Sequence, residues 1–567
     1  MYFNHDPSTN SYYYGETAPY KGMGKDLLFN QSHQVIGVDV ETISLKERTA
    51  VGVGISLKPN LSFYFQLFPE VSPSIPWHLL TDPKVTKVMH NGLFDLPALR
   101  EYDVDTTAIV DTMIMARLLC YQFTGLLDMS PVHRMEVHDM KEVLEEHGAK
   151  TTLELPQEVT ARKCMQDSSA TLQLYHELWE DTNKEYLATE MQVIPICIDM
   201  SYRGLLIDQN MRQIVEDILQ EQSDYYLGLC EEEGFLPSSA QQVAWTLGDR
   251  GAYSVFRRLP YTNWKKTQLS TSKETLKKMD DPLAGIVLQY REYAKLNSTY
   301  IKPWAHDERA YTRFHLDAIT GRPSSTDRNM QNIPGKFRKD GSKYPVNCRG
   351  VLLPDSGTWT DVDWEQLEPR VLAYLSEDKE MQHIFSLPKY NPDGSKNEDA
   401  DIHLQVAMFM GVVRRLGKLT NLAMTYGATD ETLAEQLGIK DIGRIRQLKD
   451  MWGRKFPQAM DWIDSRQEDA LRTGMARTVF GRNIRLPTEE EESADSIKRK
   501  AIDYPCQGSA AEILKRGLIR MQKLNLSLQV HDELLVDGYV PDYTFKPLED
   551  IAPFRTPVEV KYLERWE

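Results

Sequence analysis

Leu526-Ser527-Leu528-Gln529-Val530-His531-Asp532-Glu533-Leu534-Leu535-Val536 sets two adjacent carboxylates, preceded by a histidine, between two apolar runs. Runs this short and rich in Leu and Val read as two buried strands, with the polar trio at a tight turn and Gly538 marking the end of the second. A carboxylate pair taken out of water is costly unless a cation or donor compensates it. Asp532 and Glu533 therefore hold a metal, hold an Arg or Lys, or stand exposed on a hairpin tip. An isolated Asp-Glu on a turn would be read as exposed. Here a second acidic strand end and a basic helix lie upstream, and the three together match one chemistry.

The 567 residues are too many for a single core, so two to four domains are expected. Six cysteines (Cys120, Cys164, Cys197, Cys230, Cys348, Cys506) have no short paired spacing, which argues against a zinc site or disulfide framework and fits a reducing interior. No run of eighteen apolar residues and no secretory leader are read, so the expectation is a cytoplasmic protein, or one of the host cytoplasm if viral. A net charge of -17 argues against a broadly basic, nucleic-acid-binding surface but leaves room for a local basic cleft.

Residues 1–30 show no period and read as an irregular extension. Gln34 to Thr42 reads as a strand whose alternation puts Asp39 and Glu41 on one face. Further strands follow at Val51–Leu57 and Leu61–Phe65, and Lys87–Leu96 is a strand running into a helix with Asp95 near its start. Asp167 is expected to open a helix through Tyr175. Strands alternating with helices imply an α/β layer domain over residues 31–185. Asp39, Glu41, Asp95 and Asp167 can converge at one sheet edge, supplying the hard oxygen ligands that two divalent cations need for phosphodiester hydrolysis. Asp39-Val40-Glu41-Thr42, His90-Asn91-Gly92-Leu93-Phe94-Asp95 and the Asp167 to Leu172 block together resemble the proofreading 3′–5′ exonuclease domain of DNA polymerases. That family places Tyr or His four residues before the last Asp to orient the attacking water; this chain has Lys163.

Residues 186–315 are mostly helical in pattern and carry no evident chemistry. Trp359–Trp364 reads as a strand ending near Asp363, and Gln366–Leu375 as the helix it enters, with Pro369 tolerated in the first turn. Asp401-Ile402-His403 begins another helical run. Arg414, Lys418, Leu422 and Tyr426 are each four residues apart, so they share one helix face. Two cations, an apolar group and a ring on one stripe make a poor core face, but suit a nucleotide's triphosphate and base. Arg499 to Ser509 is expected to precede a last long helix.

Asp363-Trp364-Glu365-Gln366-Leu367-Glu368-Pro369-Arg370, the run Arg414 to Gly427, and Gln529-Val530-His531-Asp532-Glu533 resemble the motifs of a family A DNA polymerase, the bacterial DNA polymerase I type, in a compact phage-like form. The resemblance implies an α/β multidomain chain in which an RNase H-like exonuclease domain precedes a right-hand polymerase. The thumb falls at 186–315, the palm at 316–400 and 491–567, and the fingers at 401–490. It implies that Asp363 and Asp532 bind two Mg²⁺, with Glu533 nearby and two divalent ions in the exonuclease site. Arg414, Lys418 and His403 would hold the triphosphate, Lys418 serving as proton donor to pyrophosphate. Glu368 would be the steric gate under the sugar, with Leu422 and Tyr426 at the nucleotide. Arg322, Arg499, Gln507 and His531 would contact primer or template. Implied partners are primer–template DNA, dNTPs and replisome proteins such as a helicase, primase or single-strand-binding protein, around a monomeric enzyme with no membrane contact. Leu422, Ala423, Trp364, Glu365 and Asp503 depart from the family pattern; Glu365 is read either as an added site carboxylate or as a partner for a Lys. The alternative readings are a stand-alone 3′–5′ exonuclease with a DNA-binding C-terminal region, and a nonenzymatic scaffold.

Overall fold

Leu526–Val530 and Glu533–Asp537 pair antiparallel, as the opening stretch predicts. They join a four-stranded sheet in which Trp359–Trp364 lies between Glu533–Asp537 and Val558–Leu563. Leu526, Leu528, Val530, Leu534, Leu535 and Val536 are all buried, and so are the polar Ser527 and Gln529 between them, so the first strand is covered on both faces although its sequence alternates. The computed structural model describes residues 2–6, 11–15, 34–256, 258–262, 267–335, 343–439 and 441–567.

The first part of the chain forms a seven-stranded mixed sheet: β1 (Tyr2–Asp6), β2 (Ser11–Gly15), β3 (Val35–Thr42), β4 (Ala50–Lys58), β5 (Leu61–Gln66), β6 (Thr86–Met89) and β7 (Ile109–Asp111), in spatial order β1-β2-β5-β4-β3-β6-β7. β3, β6 and β7 are parallel; the other neighbours are antiparallel. The irregular extension expected at residues 1–30 is therefore corrected for 2–6 and 11–15, which form a hairpin zipped onto β5. Adjacent Tyr12 and Tyr13 are both buried, so the period-two contrast that announces a strand is missing. Residues 7–10 and 16–30 of that extension lie outside the described residues.

The helix Gln157–Leu178 crosses the face of this sheet. Its close seat comes from glycines: a Cβ on Gly54 would lie 2.6 Å from the Cys164 carbonyl, and one on Gly37 would overlap the Ser168 carbonyl. Asp167 sits in the middle of this helix rather than opening it. The run before it, Gln157 to Gln166, mixes polar and apolar residues too evenly to announce its helix. Similarly, Arg499 to Ser509 lies inside the helix Ala494–Met521, which absorbs Pro505 in its interior.

Three long helices, Lys184–Arg203, Gln209–Glu232 and Pro282–Leu296, form the expected helical arm. Its outer part has a separate small core around Cys230, Val243, Leu247, Leu276 and Val287. A further helical insert follows the Trp359–Trp364 strand. In it the helices Ile402–Met410 and Arg414–Thr425 cross closely at Gly417, where a Cβ would lie 2.6 Å from both the Ala407 Cβ and the His403 carbonyl. The main core runs without a break from the seven-stranded sheet to the four-stranded one. Among the described residues, no helix is long and apolar enough to cross a membrane.

Candidate active sites

Register places Asp363 directly opposite Glu533. The Trp364 N–H donates to the Asp532 carbonyl at 3.1 Å, which fixes the His531-Asp532 turn beside the end of the Asp363 strand. His531 takes a positive φ of 51° to make that turn. Burial, then the charges of Glu533 and Asp532, push Asp363 up to about 7. Burial pushes Asp532 up to about 6, with Arg322 opposing it and Glu368 adding to it. Two acids far apart in the chain thus repel each other at one sheet edge.

Around them is a connected polar network. Arg322 pairs with Glu368 and stands 3.6 Å from Asp532. Glu368 is buried, accepts from Tyr426, and leaves its Oε2 without a partner. Asp503 accepts from Gln507 at 2.7 Å and is raised to about 6 by burial and by Glu368. Glu533 has partners of its own: the Trp566 indole N–H at 2.6 Å and Arg349 at 3.3 Å. Arg349 also stacks on the Trp566 ring, 4.2 Å from its centroid. Glu533 is thus committed to Arg349, the second of the roles left open for it, while among the described residues Asp363 has no ion-pair partner. Glu365 pairs with Lys389 at 2.6 Å, settling that choice in favour of the lysine.

The close crossing at Gly417 puts the cationic stripe against His403. Arg414 pairs with Asp401 at 2.7 Å, and Lys418 is exposed. His403 is buried and lowered to about 4, chiefly by burial, with Lys418 and Arg414 adding to the fall against the pull of Asp401. Leu422 is half-buried and Tyr426 caps the helix at its exposed end, so the stripe holds its predicted order. Arg499 and His531 are exposed, and Gln507 is half-buried on the helix Ala494–Met521.

Sequence reasoning missed Asp361. It lies two residues before Asp363 on the same strand face, is 8% exposed, and leaves Oδ1 without a partner. Burial, then Glu533, raise it to about 8. The period-two logic that coupled Asp39 to Glu41 would have found it. Arg349 and Trp566 had no such signal, because only tertiary packing brings them to Glu533.

The second constellation also assembles. Asp39 and Glu41 lie on β3, Asp95 on the helix Gly92–Ala98 after β6, and Asp167 on the crossing helix. Burial raises Asp39 and Asp95 well above the ordinary carboxylate range, with Asp167 and Glu41 adding to Asp39, and Asp39 to Asp95. Asp39, Glu41 and Cys164 bring ligand atoms within 4.8 Å of one another. Lys163 lies between them: its Nζ donates to Glu41 at 3.2 Å and to Asp167 at 2.5 Å, and the side chain is 11% exposed. Burial pulls the ammonium down, but Glu41, Asp167 and Asp39 together hold it well above the usual lysine range. With this cation among the carboxylates, the set does not fit a pair of divalent ions as it stands. The polymerase-type pair does fit: two crowded carboxylates, with no cation nearer than Arg322 at 3.6 Å among the described residues.

Residues 207–550 match the model of DNA polymerase family A, and residues 26–183 match a 3′–5′ exonuclease model. A DNA polymerase I from Chloroflexus aurantiacus is 27% identical over 553 residues, covering 88% of this chain and 57% of that protein. One from Rhizobium leguminosarum is 30% identical over 513 residues, covering 81% and 47%. The chain thus spans about half the length of these curated relatives. A solved structure, the POL domain of Pol1 from M. smegmatis in complex with DNA primer-template and dNTP, superposes with a TM-score of 0.72 at 21% identity, covering 95% of this chain and 97% of that one. Domains of both families use divalent metals. With both carboxylate constellations assembled in the matched segments, the chain belongs to DNA polymerase family A and carries a 3′–5′ exonuclease domain ahead of its polymerase domain.

Proposed function

We propose that the chain adds deoxynucleotides to the 3′-hydroxyl of a DNA primer, directed by a template strand. The observation that carries this reading is the meeting of Asp363 and Asp532 on adjoining backbone, with the Tyr426 end of the cationic helix linked to them through Glu368 and Arg322. The four-stranded sheet serves as palm, the insert bearing Arg414 to Tyr426 as fingers, and the helical arm as thumb. The domain limits are 186–315, 316–400, 401–490 and 491–567.

Asp363 and Asp532 are the residues to hold divalent cations, Mg²⁺ in our reading, which when bound acidify the primer hydroxyl and offset charge on the departing pyrophosphate. Arg414 and Lys418 neutralise the incoming triphosphate, and Lys418, exposed on the same helix face, gives pyrophosphate a proton. His403, uncharged near neutral pH because it is lowered to about 4, contributes a hydrogen bond rather than a charge. Glu368, fixed by Arg322 and Tyr426, presents its stem as a wall beneath the sugar and excludes a 2′-hydroxyl. Leu422 and Tyr426 pack on the base. Arg322, Arg499, Gln507 and His531 hold the primer–template.

Primer extension with four dNTPs and Mg²⁺ is the test. Extension by the native chain and loss of about a thousandfold or more in Asp363→Ala and in Asp532→Ala are expected. Undiminished extension by Asp363→Ala would refute the assignment. Shortening of the primer without any extension would favour a stand-alone nuclease.

A further inference from the structure

The exonuclease domain carries its own cation. Lys163 is not a surface helix pair: although Asp167 is four residues on, the ammonium also reaches Glu41 on a different element, at 3.2 Å, and both carboxylates are 9% exposed. The helix that bears it cannot slide away, because Gly54 and the Cys164 carbonyl leave no slack between helix and sheet. A Lys stem from this turn ends where the oxygens of β3 and the helix converge. Divalent ions at those oxygens would stand within a few ångströms of a positive charge, in a buried setting where such repulsion is strong.

We propose that the Lys163 ammonium takes the place of a divalent cation in the exonuclease-type site, so that the native domain holds that metal weakly and cuts 3′ ends slowly. The ammonium pairs one oxygen of Glu41 and one of Asp167, which offsets their mutual repulsion without a metal, while Oδ1 of Asp167 stays without a partner. The inference rests on reading Asp39, Glu41, Asp95 and Asp167 as a nuclease-type ligand set, and the experiment separates the two.

The full chain with Asp363→Ala and Asp532→Ala silences the polymerase ions and leaves Lys163 in place. Titrated with Mn²⁺ and followed by electron paramagnetic resonance, this protein is expected to show no tight ion. Adding Lys163→Met is expected to tighten Mn²⁺ at least about tenfold, whereas Lys163→Arg, which keeps the charge, leaves binding at the parent level. Decay of a primer with a mismatched 3′ end, measured with Lys163→Met alone, is expected to rise as Mn²⁺ binding does. Tight Mn²⁺ binding with Lys163 in place overturns the proposal, and that measurement needs no change at the site. Equal, measurable affinity with and without the Lys163→Met substitution overturns it too. If Lys163→Met folds but binds no Mn²⁺, the ligand-set reading itself falls, and the proposal with it.

Discussion

Arg322 answers two acids at the polymerase site, pairing with Glu368 and standing 3.6 Å from Asp532. It opposes the burial that lifts Asp532 to about 6. Without it, Asp532 must titrate higher still, so a larger fraction is protonated near neutrality and unable to bind a cation. The expected outcome for Arg322→Ala is an acid limb of the extension rate moved upward by about one pH unit, partly restored by more Mg²⁺. A pH–rate profile at two Mg²⁺ concentrations measures this, and an unmoved limb would remove Arg322 from the electrostatics of Asp532. At this scale the sequence was legible where chemistry repeats at short intervals. Asp39 with Glu41, and Arg414 with Lys418, announce themselves by period. Lys163 was visible as a departure, but its bond to Glu41 was not, because that contact joins residues on different elements. Asp361 was legible and overlooked.

Elements explain how those side chains meet. Gly417 allows two helices to touch, and a Cβ there would lie 2.6 Å from Ala407 and from the His403 carbonyl. Gly417→Val is expected to pry Ile402–Met410 from Arg414–Thr425, cost about 1–3 kcal/mol, and raise the KM for dNTPs several-fold while kcat changes less. Steady-state kinetics with denaturant unfolding tests this; native stability and KM together would show that the crossing tolerates spreading. Such a glycine is hard to interpret from sequence, since one inside a helical pattern more often signals weakness than contact. The four-stranded sheet was the most readable element, because Leu and Val mark both hairpin strands even though Ser527 and Gln529 are buried among them. The β1–β2 hairpin and the long reach of Ala494–Met521 were the least readable. In the first, both faces of a tyrosine pair are covered; in the second, Pro505 reads as a stop that its surroundings override.

Across the whole molecule, one buried ionic group ties the exonuclease domain to the polymerase. Glu190, on the helix Lys184–Arg203, accepts from Lys515 at 2.6 and 2.8 Å and pairs with Arg117 at 2.7 Å. Arg117 and Lys515 hold Glu190 down to about 2 against the cost of burial. Lys515 is itself lowered to about 8, since burial and the nearby Arg117 outweigh its share of a single carboxylate. Near pH 7 Glu190 and Lys515 are both charged. Because the folded pKa of Glu190 is depressed, its contribution is complete above the ordinary 4.5 and disappears as pH falls toward about 2. Glu190→Gln leaves two buried cations without their anion, and is expected to cost about 3–5 kcal/mol at pH 7. That loss should shrink below pH 4.5. Urea denaturation of both proteins across this range checks it, and equal stability at pH 7 would show that the group is dispensable.

Strand order has a consequence for how the molecule comes into being. The nuclease-like sheet uses only early residues and is closed by the helix ending at Leu178. The strand carrying Asp363 waits for neighbours, Glu533–Asp537 and Val558–Leu563, that leave the ribosome much later. A growing chain therefore passes through a stage in which a finished nuclease-type domain is tethered to a half-made polymerase. On the proposal made for Lys163, that early domain would hold metal weakly throughout the interval.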